Sequence, residues 1–176
     1  MTSLFSWRAA GALGVLSAAM LSACAPALNW RVVQPADGLS LMLPCKPSER
    51  KEAVRLGEQD TELTMIGCQA QGMDFTHTQM PLPTGVLPAV VIERWQQASL
   101  RPLGAHEAQA PKPQPLAGVV TPGVGVRVKT TSGLQVQLVW WHQGSLVHQL
   151  AVYAPLGEKS FENAVDAFIS SIQQRP

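Results

Sequence analysis

Four histidines, His77, His106, His142 and His148, are the side chains of this 176-residue chain best suited to move protons near neutral pH or to ligate a metal. None stands in a known catalytic setting: no H-E-x-x-H pair occurs, and no serine lies within G-x-S-x-G. His142 and His148 flank a turn at Gln143-Gly144. With a two-residue loop, alternation along the flanking strands sends their imidazoles to opposite faces of the sheet, so no shared metal is expected. His77 reads as an ordinary strand histidine, and His106 falls in a loop. Between Glu107 and Glu158 there is no Asp or Glu, so that stretch supplies no general acid, general base or metal carboxylate. Glu93 and Arg94 read as the solvated face of a helix. A hydrolase would have to gather dispersed residues, His77 and His142 first among them. The expectation is that the chain is not an enzyme and has no catalytic, cofactor-binding or metal residues.

Charge and aromatic content allow two kinds of binding. Lys112, Arg127 and Lys129 lie in the acid-free stretch and could face an anionic lipid or acidic partner, or be ordinary surface. Trp95, Trp140 and Trp141 could line a cleft between helix and sheet that carries a small ligand or lipid. No Gly-rich phosphate loop or internal repeat is present, and near-neutral charge argues against a nucleic-acid partner.

The three cysteines divide into one and two. Residues 1–23 have the layout of an exported leader: a short front with Arg8, an uncharged run from Ala9 to Met20, and small Ser22 and Ala23 before Cys24. The apolar run is shorter than the roughly 20 residues that span a bilayer. Leu21-Ser22-Ala23-Cys24 resembles the lipobox of bacterial lipoprotein precursors. That resemblance implies a diacylglyceryl group on the Cys24 thiol, cleavage before it and acylation of the new amine. At about 0.8 kcal/mol per buried methylene, several acyl chains would hold the protein to a membrane without a transmembrane helix. In that family Asp after the cysteine retains the protein at the inner membrane. Ala25 stands here, which implies the outer membrane, with the domain facing the periplasm.

Loss of the leader removes one of thirteen cations, leaving twelve Lys and Arg against twelve Asp and Glu in 153 residues, a length that suits one domain. Cys45 and Cys68 remain as an even pair, which in an oxidising compartment favours a disulfide; two free buried thiols or a metal pair are the alternatives.

The elements that must position these residues follow from periodicity. Residues 24–37 read as a tether, with Trp30 docked on the domain or resting at the membrane surface. Strands are predicted over 39–43, 51–56, 61–71 and 73–80, the first three as a meander that brings Cys45 and Cys68 to one end. A helix is predicted from Pro88 through Val91, Trp95 and Ala98, stopping before Pro102. Residues 101–123, with five prolines, read as a long surface loop. Strands over 124–130, 134–141 and 146–154 follow, the last two apolar on both faces and so requiring cover on both sides. A final helix carries Phe161, Val165, Phe168, Ile169 and Ile172 on one face, with Ser160 as its N-cap.

The fold expected is α+β: one domain over 38–176, built on a single, mostly antiparallel sheet of about six or seven strands covered by two helices. Its close, with Trp140-Trp141, a glycine turn, a strand holding Tyr153 and a helix around Phe168, is similar to that of the PsbP-like superfamily. The strand and Pro44–Pro47 turn at the opening also match loosely. That superfamily includes an extrinsic photosystem II subunit, a nuclear import factor that binds the GTPase Ran, and bacterial envelope lipoproteins. The resemblance implies an α/β/α sandwich with a non-catalytic role, and it transfers no site residues. The function expected is that of a lipid-anchored periplasmic domain that binds or supports another envelope component. A small-ligand or lipid carrier and a dispersed hydrolase are the alternatives.

Overall fold

The computed structural model describes residues 28–56, 59–119 and 122–174. Eleven strands and two helices follow in chain order: β1 (Arg31–Ala36), β2 (Leu39–Leu43), β3 (Ser48–Leu56), β4 (Gln59–Ala70), β5 (Met73–Pro81), α1 (Pro88–Leu100), β6 (Ala105–Ala108), β7 (Lys112–Gln114), β8 (Gly123–Thr130), β9 (Leu134–Gln143), β10 (Leu146–Pro155), α2 (Phe161–Ser170) and β11 (Gln173–Gln174). The main sheet runs β3-β4-β5-β10-β9-β8-β6, and β7 also pairs with β8. Its pairings are antiparallel. The fold is α+β.

Both faces of the β9–β10 hairpin are apolar, and each has found a cover. Val136, Leu138, Trp140, Val147 and Ala151 pack with Val91, Ile92 and Trp95 of α1. Val139, Trp141, Leu150 and Val152 form the other core with Phe161, Val165, Phe168 and Ile169 of α2. Rings of this size remove roughly 150–250 Å² each from water, so Phe75, Trp141 and Phe168 dominate that second core. Phe75 and Phe168 meet edge to face, with centroids 5.6 Å apart.

The mostly antiparallel main sheet is the one expected, and a smaller sheet, β1-β2-β11, lies beside it. Strand β2 does not join β3 and β4 in a meander. Leu39, Leu41 and Leu43 are all buried and lie in the α2-side core, so β2 packs onto the main sheet rather than extending its edge. Its backbone pairs with β1 and β11, and Ser171 Oγ accepts from the Met42 N–H at 2.9 Å. The stretch read as a tether is therefore partly folded, since Arg31–Ala36 is β1. Trp30 docks on the domain, edge-on to Phe75 at 6.3 Å.

Three further details differ from the sequence reading. The stretch 101–123 is not a free loop: β6 and β7 both pair with β8, and Arg127 O accepts from the Gln109 N–H at 2.9 Å. Laid along β8, the segment covers what would be a bare edge beside the most apolar strands. Gly118 sits there at φ 76°, and a Cβ on it would collide with the Gln174 carbonyl. Ser160 does not cap α2 with its side chain. Its N–H and hydroxyl both donate to Glu158 Oε1, which holds the Glu158 carboxyl below its ordinary value. On α1, Ala98 is exposed and Ile92 is buried in its stead.

The exposed edge strand, β3, is guarded by charge. Lys51 pairs with Glu62 and Arg55 with Asp60 across the β3–β4 ladder, and Arg50 pairs with Glu52 along the strand. Such exposed pairs contribute little stability, but they discourage strand addition.

Cys45 and Cys68 form a disulfide with Cα atoms 5.9 Å apart. Cys45 lies in the turn from β2 to β3, and Cys68 lies one residue beyond Gly67, the partner of Ser48. The bond therefore ties the smaller sheet to the main one. Replacing both cysteines by serine should lower stability by about 2–4 kcal/mol in urea unfolding. An unchanged midpoint and slope would show that the bond does not tie the sheets.

Candidate functional site: a buried histidine pair beside an open cleft

Period-two alternation puts Phe75, His77 and Gln79 of β5 on the same face, the face that carries the α2-side core. On β10, His148 lies opposite Gln79, and Leu150 opposite His77. On its other side His148 lies opposite Trp141 of β9. The β9–β10 hairpin sets Trp141 beside His148, and the long-range pairing of β5 with β10 brings His77 to them.

His77 and His148 are both buried, and His77 Nε2 lies 3.2 Å from His148 Nδ1. One ring donates its N–H to the lone pair of the other, which requires the accepting ring to be neutral. Trp141 stacks on His148 with centroids 5.0 Å apart and planes 19° from parallel, and it lies 5.8 Å from His77. Burial pushes the His77 pKa well below its ordinary value, with His148 adding to the effect. Burial, then the neighbouring His142, lowers His148 to about 4.

Beside this pair a cleft of about 300 Å³ opens between β1 and the β3–β4–β5 strands. Val33, Pro35 and Ile66 give it apolar walls, and His77 is its most buried lining residue. Gln79 donates from Nε2 to the Pro35 carbonyl at 3.0 Å, which fixes the orientation of its amide. Its Oε1 and His77 Nδ1 are buried and have no hydrogen-bond partner in the described structure. Ser48, Glu49 and Thr64 also line the cleft, and Glu49 is its one charged lining residue.

The remaining sequence candidates are dispersed. His142 is opposite Val147, on the other face from His148. The observed turn is Gly144-Ser145, one residue later than expected; that shift preserves alternation, so the face assignment stands. His106 lies on β6, an edge strand away from the pair. Among the described residues no three His, Cys, Asp or Glu converge as a metal-ligand set. Trp140 and Trp141 are fully buried in opposite cores, and Trp95 packs in the core beneath α1. The tryptophan-lined cleft expected between helix and sheet is therefore filled by its own side chains. Of the three cations, Arg127 pairs with Glu162, bonds Gln137 and lies over Phe161, while Lys129 has an interaction of its own. Cys24 lies outside the described residues.

Sequence reasoning missed Gln79 and Glu49. Alternation along 73–80 could have placed His77 and Gln79 on one face, but the pairing of β5 with β10 spans an intervening helix and four strands and left no local trace. No family model and no curated protein matches the chain.

The histidine pair makes stability depend on pH with a defined sign. The unfolded chain takes up protons near 6.5, whereas folded His148 takes one only near 4. Stability is thus full above pH 6.5 and falls as pH drops toward 4, by about 3 kcal/mol for this residue, with His77 acting in the same direction. His148→Gln, which keeps a polar partner for His77, should flatten the fall in Tm across that window. An equal fall in wild type and variant would refute the assignment.

Proposed function

We propose that this chain is a lipid-anchored envelope lipoprotein whose domain binds another envelope component and carries out no chemistry. The observation that carries the second half is the partner of His77. A catalytic histidine is commonly oriented by a carboxylate and poised near the working pH. Here the Nε2 partner is a second imidazole, and burial holds both rings neutral. Such a pair can offer fixed hydrogen bonds but is a weak base. The cleft beside it therefore suits recognition better than turnover.

The lipobox and the disulfide support the first half. A disulfide between Cys45 and Cys68 suits an oxidising compartment such as the periplasm. Asn29 is already held, donating its N–H to the Pro44 carbonyl at 2.8 Å. Only the chain from Cys24 to Asn29 would then separate lipid from fold, a reach of at most about 18 Å. The disulfide end of the domain would face the membrane, and Ala25 favours the outer membrane as its site. No helix among the described residues is long and apolar enough to cross a membrane. The proposal keeps the PsbP-like resemblance, which implies a non-catalytic role. A small-ligand carrier is the second reading, favoured by the same open cleft and no longer by the tryptophans.

Membrane fractionation tests the anchor. The wild-type protein should sediment with outer membranes and resist high salt, while Cys24→Ser should be released with the soluble periplasmic fraction. Wild-type protein freed by salt alone, or a Cys24→Ser variant that stays with the membrane, would overturn the anchored reading.

A further inference from the structure

We propose that the cleft beside His77 binds an alkylammonium or alkylguanidinium group. This deepens the binding role and rests on it. The inference comes from the polarity that the lining atoms are committed to. Gln79 Oε1 can only accept a hydrogen bond, and the bond from Nε2 to the Pro35 carbonyl fixes which end of the amide that oxygen occupies. The Glu49 carboxylate is likewise an acceptor, and no cation lines the cleft to neutralise it. His77 Nδ1 becomes a third acceptor in the tautomer whose Nε2–H donates to His148. Ser48 and Thr64 hydroxyls can take either role.

Gln79 Oε1 and the Glu49 carboxylate accept in either tautomer of His77, and the one charge is negative, which fits a group that carries donors only. Ammonium and guanidinium are the two common groups of that kind. Neutral imidazole tolerates such a cation where imidazolium would repel it. Val33 and Ile66 offer apolar wall to a short aliphatic stem. Trp141 Nε1 is also without a partner, but Trp141 does not line the cleft, so its donor does not alter this balance.

The test uses the full chain purified in dodecyl maltoside, titrated with n-butylguanidinium or n-butylammonium chloride while the His77 ring and Gln79 amide are followed by NMR. Saturable shifts with a millimolar or lower Kd are expected from the cations, and none from sodium butyrate or n-butanol. Glu49→Gln, an exposed substitution that leaves the core intact, should weaken binding about fivefold. No saturation in the wild type, an equal response to butyrate, or an unchanged affinity in Glu49→Gln would overturn the proposal. Failure here would leave the membrane fractionation result untouched, because anchoring does not use the cleft.

Discussion

Strands β9 and β10 lie side by side with Val136, Leu138 and Trp140 on one face and Val139, Trp141 and Leu150 on the other. Each such side chain contributes roughly 1.5–3 kcal/mol when buried, so leaving either face in water would forfeit more than a domain of this size has to spare. The hairpin must therefore sit mid-sheet, with β5 and β8 beside it and a layer above and below. Helix α1 supplies one layer, while α2 and the smaller sheet supply the other. The same hairpin fixes the polar interior, because the register that buries Trp141 sets His148 directly opposite it.

Much of this arrangement was legible in the sequence because it is local. The strand β2, the start of α1 at Pro88 and the two-faced hairpin all follow from alternation, proline placement and turn residues. Phe161, Val165 and Phe168 mark the buried stripe of α2 by spacing alone. What could not be read was set by partners distant in sequence. Leu39-Ser40-Leu41 alternates whether it extends a sheet or lies across one, and only its packing against Phe75 and Phe168 decides. The proline-rich segment has weak strand propensity, and it pairs with β8 because that edge would otherwise be bare.

The candidate site was legible only as an inventory. His77 and His148 were visible as histidines on strands, but their contact depends on the β5–β10 register. Once paired and buried they are neutral, which turns the residues that first suggested proton chemistry into fixed hydrogen-bonding groups. The cleft adds the Gln79 and Glu49 acceptors, whose side chains look like ordinary surface polarity when read along the chain. The proposed recognition role thus rests on burial and register, not on any motif.

The most direct test of this account is the protonation state of the two rings, read from the ¹⁵N shifts of the His77 and His148 nitrogens in the full chain. From about pH 8 to about pH 5 the account predicts that both stay neutral, each with one protonated and one bare nitrogen. A ring that titrates near its ordinary value of 6.5 would contradict it, since neither the neutral pair nor the acceptor-lined cleft beside it could then stand.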